Sequence, residues 1–148
     1  MPLLRPATLE SVIKTHRSEQ AAATLLTAIF QDPTGYGRVV RENGKVVRIV
    51  EERDADEEQR AIKEMNVSVY AFDAAILGTA LSRLSNSNDQ GEYYLTDALE
   101  ALQAAGHSVR LYAHHDAEEL QAAFDELGAD DAVKGIVLTS ADGSFTDQ

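Results

Sequence analysis

The stretch "RVVRENGKVVRIV", Arg38 to Val50, places an Asn-Gly pair between two runs rich in valine and isoleucine. Asn43 and Gly44 are the residues that best tolerate the positive φ required at both central positions of a type I′ turn. Valine and isoleucine favour strands on either side. The stretch therefore predicts a β-hairpin with strands Arg38–Arg41 and Lys45–Val50.

Two further elements are predicted before the hairpin. Pro6, followed by apolar residues at helical spacing, predicts the start of a helix. The run "AAATLLTAIF", Ala21 to Phe30, is almost continuously apolar. Such a run is typical of a strand that is covered on both faces.

Helices and strands continue to alternate after the hairpin. The polar segment "DADEEQRAIKE" is interpreted as a short helix or an ordered excursion. The remaining predicted elements are a strand at Met65–Phe72, a helix capped by Asp73 and running to about Leu84, a helix ending at Gly106, a strand at Ser108–Ala113, a helix from Asp116 to Gly128 and a strand at Ala132–Ser140. This alternation favours an α/β architecture.

Composition narrows the class of protein. The 148 residues correspond to one domain, and 13 basic against 25 acidic residues give a net charge of −12. Nucleic acids and anionic membranes both reward a basic surface, so neither is an expected partner. The absence of cysteine excludes disulfides and thiolate sites. No signal peptide or membrane-spanning run is recognised, and a cytoplasmic location is expected.

The segment "DPTGYGR" before the hairpin allows two interpretations. Gly35 and Gly37 have no Cβ, so the backbone could approach a ligand closely. The same glycines also suit an ordinary turn that leads into a strand. The residues by themselves leave both interpretations open.

Three polar residues follow in candidate positions. Glu51 and Glu52 end the hairpin, and adjacent strand residues point to opposite faces, so only one of them can face a cleft. Asn66 offers a donor and an acceptor to sugar hydroxyls, but it could equally satisfy a turn.

No known catalytic motif is found. His16, His107, His114 and His115 do not fall at a metal-ligand spacing, and neither a nucleophile elbow nor a glycine-rich phosphate loop is present. Local patterns therefore lead no further than an acidic α/β domain with a polar loop.

From Pro2 to about Glu119 the sequence resembles the uridylyltransferase (pyrophosphorylase) domain of bacterial N-acetylglucosamine-1-phosphate uridylyltransferases, which are bifunctional with an acetyltransferase. The stretches that carry the resemblance include "PLLRPATLESVIKTHR", "DPTGYGRVVR", "VVRIVEERDA" and "LSRLSNSNDQGEYYLTD". The resemblance implies a truncated Rossmann-like nucleotidyltransferase sheet with a β-hairpin. It also implies an amino-sugar site in which the Gly37 N–H meets the sugar, Glu51 accepts its hydroxyls, Asn66 contacts it, and Tyr94 and Thr96 line the acetamido pocket.

The resemblance does not extend to the half of the family's site that binds the nucleotide. The family's glycine-rich nucleotide loop, its catalytic lysine and its two Mg²⁺ ligands have no counterparts here. We therefore expect no bound metal or cofactor and no catalysis by the chain alone, with weak amino-sugar binding retained. Two alternatives stay open: a nucleotidyltransferase subunit completed by a partner chain, and a structural domain without a ligand.

Residues 119–145, "ELQAAFDELGADDAVKGIVLTSADGSF", resemble a different family, the amino-terminal helix and strand of the crotonase superfamily. This predicts a chimera within a single domain, 1–148. Residues 1–118 would be the uridylyltransferase-like part, and residues 119–148 would add a helix and strand that complete the sheet. Any edge left open would favour a homodimer or strand exchange.

Overall fold

The computed structural model describes residues 4–88, 91–114 and 136–140. Its helices are α1 (Pro6–Ser18), α2 (Glu57–Arg60), α3 (Ala74–Leu81) and α4 (Asp97–Ala104). Its strands are β1 (Ala23–Ile29), β2 (Arg38–Glu42), β3 (Lys45–Val50), β4 (Glu64–Asp73), β5 (Val109–Ala113) and β6 (Ile136–Ser140). The predicted α/β class is confirmed.

The six strands form one mixed sheet in the order β3-β2-β4-β1-β5, with β6 paired to β4. β4 runs antiparallel to β1 and β2, whereas β5 runs parallel to β1. Because β1 occupies one side of the long β4, both β2 and β6 lie on the other side. β2 meets β4 at Met65, and β6 pairs in parallel with Val69–Asp73.

The hairpin has the predicted turn. Asn43 and Gly44 have φ values of 51° and 78°, so both central residues are left-handed as the Asn-Gly pair requires. The Arg41 guanidinium donates a hydrogen bond to the Gly44 carbonyl at 3.0 Å, which ties the turn to β2.

Two apolar clusters lie on opposite faces of the sheet. Leu25 belongs to the cluster beneath α3 and α4, and its neighbour Leu26 belongs to the cluster beneath α1. This division follows from the alternation of side chains along a strand. All residues from Ala21 to Ala28 are buried, which confirms the prediction that β1 is covered on both faces.

The start of α3 and the ends of α3 and α4 have local causes. The Asp73 carboxylate accepts a hydrogen bond from the Ala75 N–H at 2.9 Å and caps α3. α3 ends at Leu81 rather than at the predicted Leu84, because the following residues continue as tighter turns with i→i+3 hydrogen bonds. α4 stops before Gly106, whose φ is 84°, as predicted.

The predicted helix from Asp116 to Gly128 lies outside the described residues. Of the predicted last strand, residues 136–140 are described, and their pairing with β4 is parallel. The sequence pattern had left the direction of this pairing open.

Candidate functional site

Glu51 follows directly after β3 and is held by a residue 45 positions further along the chain. The Thr96 hydroxyl donates a hydrogen bond to Glu51 Oε1 at 3.0 Å. Burial raises the pKa of Glu51; the Thr96 hydrogen bond opposes this shift, and the negative charges of Asp97 and Asp54 add to it. Glu51 is thus a carboxylate in a fixed position that retains acceptor capacity for a ligand.

Gly37 lies against Glu51 and leaves no space for a side chain. A Cβ at this position would be 2.8 Å from Ile49 Cγ2 and 3.4 Å from each Glu51 carboxylate oxygen. The Gly37 carbonyl accepts a hydrogen bond from the Asn66 N–H at 2.9 Å. No acceptor for the buried Gly37 N–H is found among the described residues.

The glycine loop before Gly37 is braced by an ion pair. Arg38, which is 1% exposed, donates a hydrogen bond to the Tyr36 carbonyl and pairs with Glu52 across 2.6 Å. Glu52 also accepts a hydrogen bond from the Gly35 N–H at 3.4 Å. Glu52 therefore supports the loop while Glu51 lines the cleft, so only one glutamate of the pair faces it, as predicted.

A cleft of about 490 Å³ opens between the end of β3 and the start of α4. Glu51, Asp54, Tyr94 and Asp97 are among its lining residues. Burial and then the charge of Asp54 raise the pKa of Asp97. Desolvation, a hydrogen bond to Asp54 and nearby carboxylates raise the pKa of Tyr94 to about 12. The cleft is therefore strongly acidic, with a neutral phenol at its wall.

Asn66 lies behind this cleft, and its amide is engaged within the protein. Its Nδ2 donates to the Tyr70 hydroxyl at 2.5 Å, and its Oδ1 accepts from the Ser68 N–H at 3.1 Å. Ser68 has a φ of 61°, in a stretch where the pairing of β1 and β4 shifts register. Burial raises the pKa of Tyr70 to about 12, the Asn66 hydrogen bond opposes the shift, and the Glu51 charge adds to it. Asn66 is thus connected to the Glu51 environment through Tyr70.

The structure brings Gly37, Glu51 and Thr96 together and places Tyr94 in the same cleft, whereas Asn66 is buried behind them. Sequence reasoning did not find Asp54, Asp97 or Tyr70. Asp97 directly follows Thr96 in "YYLTD", so the assignment of Thr96 to the site could have indicated Asp97 as well. No local pattern links Tyr70 or Asp54 to the site.

Metal binding and histidine chemistry find no support in the described part of the chain. Within residues 4–88, 91–114 and 136–140, no three His, Asp or Glu side chains are arranged to hold a metal ion. The expectation that the chain binds no Mg²⁺ stays a prediction. His16 instead contacts the Thr24 hydroxyl at 3.1 Å, and burial lowers the pKa of His16. His107 lies after α4, and His115 is outside the described residues.

Within the described residues, none of the helices has the length and apolar character that a bilayer crossing needs.

Known proteins share extensive sequence similarity with this chain. The chain is 49% identical over 108 residues to the bifunctional protein GlmU of Clostridium botulinum, covering 73% of this chain and 24% of that protein. It is 47% identical over 135 residues to GlmU of Brevibacillus brevis, covering 90% and 28%. The chain thus spans about a quarter of the length of these curated relatives.

Among solved structures, the fold is similar to that of a Bacillus anthracis protein described as a glucose-1-phosphate thymidylyltransferase, in complex with sucrose. The TM-score is 0.57 at 18% identity, over 86% of this chain and 51% of that one. This likeness supports the Rossmann-like sheet. The nucleotidyl transferase family itself matches residues 3–119, about four-fifths of the sequence. The chain belongs to the nucleotidyl transferase family.

Proposed function

We propose that this chain forms the sugar-binding side of a nucleotidyltransferase site, and that it binds an N-acetylated amino sugar weakly without transferring a nucleotidyl group by itself. The observation that carries the proposal is the hydrogen bond from Thr96 to Glu51, together with the close packing of the Gly37 backbone against the same carboxylate. A fixed carboxylate beside a backbone N–H matches the alternating acceptors and donors of a sugar ring.

Each group has a separate part in this proposal. The Glu51 carboxylate accepts hydrogen bonds from ring hydroxyls, and the Gly37 N–H donates to a sugar or acetamido oxygen. Tyr94 presents an aromatic wall to the pyranose. Thr96 positions Glu51, because its hydroxyl already donates to that carboxylate at 3.0 Å. Asn66 supports the site from behind through Tyr70.

The electrostatics of the cleft support the non-catalytic part of the proposal. Nucleotidyl transfer depends on cations that neutralise a triphosphate. Glu51, Asp54 and Asp97 line this cleft, and their mutual repulsion contributes to the raised pKa values of Glu51 and Asp97. Such a wall favours an uncharged sugar over a polyphosphate.

The binding proposal is tested by NMR titration of the 148-residue chain with N-acetylglucosamine and UDP-N-acetylglucosamine. We expect shifts of the Gly37 and Glu51 amides at millimolar ligand, and their loss in Glu51→Ala. Glu42→Ala is the matched control, since Glu42 is an exposed glutamate at the end of β2. Unchanged spectra for the native chain would reject sugar binding and leave the structural-domain alternative.

Family membership favours a second candidate, a nucleotidyltransferase subunit completed by a partner chain. The support is that this chain matches about a quarter of each curated relative. Formation of UDP-N-acetylglucosamine from UTP and N-acetylglucosamine-1-phosphate in the presence of Mg²⁺ is measured with the pure chain and after mixing with the part of the Clostridium botulinum relative that this chain does not match. Turnover only in the mixture would establish the second candidate, and turnover by the pure chain would contradict the first.

We also propose that residues 119–148 complete the sheet of this chain and that its open strands pair with a second copy. The parallel pairing of β6 with β4 supports the first part. Support for the second part comes from β3 and β5, which lie at the two ends of the strand order in the described sheet. Sedimentation measures the association.

The crotonase-like origin of residues 119–145 stays a prediction. The alignment with the Brevibacillus brevis relative covers 90% of the chain and therefore extends beyond residue 119.

A further inference from the structure

A second cavity, of about 450 Å³, lies at the opposite end of β3 from Glu51. It is open to solvent and is bounded by the hairpin turn, the end of α4 and strand β5, because the two outer strands β3 and β5 approach each other. Lys45 and Glu51 are six positions apart in extended chain, so roughly 20 Å separate these two residues, while along β3 the linings of the two sites come as close as Val46 and Arg48. A hydrogen bond from Gln103 Nε2 to the Val46 carbonyl, 2.8 Å long, joins α4 to β3 at this end.

The lining of this cavity contains three cationic side chains in a chain that is acidic overall. Its lining includes Arg41, Lys45, Arg110 and His107, and it includes no aspartate or glutamate among the described residues. The chain as a whole carries a net charge of −12. Lys45 adds its charge to two arginines whose charges are partly offset by ion pairs with Glu64 and Glu19, so the cavity is a local site of attraction for anions in an acidic chain.

Acidic partners outside the lining hold both arginines in place. Arg41 donates through Nε and Nη2 to the two carboxylate oxygens of Glu64, each at 2.7 Å. Arg110 Nε donates to Glu19 at 3.3 Å. Each guanidinium has five N–H donors, so both retain donors for a ligand. A guanidinium that is already oriented loses less entropy when it binds an oxyanion.

Lys45 and the polar groups nearby complete the arrangement. Within residues 4–88 and 91–114 the Lys45 ammonium has no hydrogen-bond or ion-pair partner. The side chains of Gln103, His107 and Ser108 line the same cavity. Planar arginine donors together with a mobile ammonium suit the tetrahedral, multiply charged phosphate group.

From this arrangement we propose that the cavity between the hairpin turn, α4 and β5 binds the phosphate group of a small phosphorylated molecule. The site is separate from the acidic cleft at Glu51, although β3 and α4 contribute to both. A failure of either proposal therefore leaves the other standing.

The test is a titration of the full chain with inorganic phosphate at low ionic strength, followed by NMR and calorimetry. We expect amide shifts at Lys45, His107 and Arg110. Lys45→Glu should weaken phosphate binding by at least about tenfold, because it removes a charge-assisted hydrogen bond and places a repelling carboxylate in the cavity. Lys14→Glu introduces the same charge change at an exposed residue of α1 and should leave the affinity within about twofold, since solvent screens distant charges.

Three results would overturn the proposal. The first is the absence of shifts at the cavity with phosphate in the tens of millimolar. The second is an equal loss of affinity in Lys45→Glu and Lys14→Glu, which would indicate only a response to net charge. The third is equal binding of malonate at matched ionic strength, which would replace a phosphate site by a general anion site. Lys45 is exposed next to the turn, and circular dichroism checks that the variant folds.

Discussion

Gly37 shows how one missing side chain can decide the shape of a site. Gly37 has no positive φ, so the backbone conformation does not require glycine at this position. Its neighbours do, because a Cβ placed on Gly37 would lie 2.8 Å from Ile49 Cγ2 and 3.4 Å from each Glu51 carboxylate oxygen. Gly37→Ala must therefore displace Ile49, Glu51 or the loop. We expect a loss of about 1–3 kcal/mol in the free energy of unfolding, as for other overpacked positions. Urea denaturation measures it, and a loss below about 0.5 kcal/mol, the usual range of harmless surface changes, would show that the loop adapts freely.

Glu51 gives the protein a pH dependence of definite sign. The pKa of Glu51 is raised from its ordinary value of 4.5, so the folded state binds this proton more tightly than the unfolded state does. Its contribution to stability is greatest below pH 4.5 and is lost as the pH rises through the folded pKa. Glu51→Gln keeps an acceptor for Thr96 and removes the charge. The variant should therefore gain stability relative to the native chain at pH 7 and not at pH 4.

Thermal unfolding at a series of pH values measures this difference. Glu42→Gln, at the exposed end of β2, is the control and should parallel the native chain throughout. A constant offset between Glu51→Gln and the native chain from pH 4 to pH 7 would contradict a raised pKa at Glu51.

The hairpin and α3 provide a test of backbone conformation at the scale of single elements. Gly44, in the turn, has a φ of 78°, whereas Gly78, within α3, has no positive φ. Both positions have room for a methyl group, because no atom would lie within 4 Å of a Cβ placed there. The same glycine-to-alanine change should therefore have opposite effects. Gly44→Ala should destabilise by about 1 kcal/mol because alanine disfavours the left-handed region. Gly78→Ala should stabilise by roughly 0.5–1 kcal/mol because alanine favours a helix.

Chemical denaturation of the two variants measures both signs. If both variants changed the free energy of unfolding in the same direction, the turn would tolerate a backbone with negative φ. The positive φ values of Asn43 and Gly44 would then not be what fixes the hairpin.

At the scale of the whole molecule, β6 covers the second half of β4. Residues Val69–Asp73 pair with β6 on the side away from β1, so their hydrogen-bonding groups depend on it. A chain ending at residue 118 should lose at least about 2 kcal/mol, the contribution of a few net hydrogen bonds, and should associate through the exposed edge. A chain ending at residue 140 keeps β6 and is the control. Urea midpoints and sedimentation compare the two, and equal behaviour would remove β6 from the sheet's stability.

Local patterns determined much of this protein without the structure. The Asn43-Gly44 turn followed from the φ values that these two residues tolerate, and the buried β1 followed from a continuous apolar run. The end of α4 followed from Gly106, which takes the left-handed conformation easily. Each of these features depends on residues only a few positions apart, so their physics can be recognised in a short window. The resemblance to a family then named the candidate residues Gly37, Glu51 and Thr96.

Only the tertiary structure decided how those residues act together. Glu51 and Thr96 are 45 positions apart, and their hydrogen bond exists because β3 and α4 pack side by side. The role of Gly37 depends on the Ile49 methyl that the hairpin pairing brings next to it. The basic cavity forms because the sheet brings its outer strands β3 and β5 near each other. Contacts between distant segments depend on strand order and sheet curvature, and neither is encoded in any short run of residues.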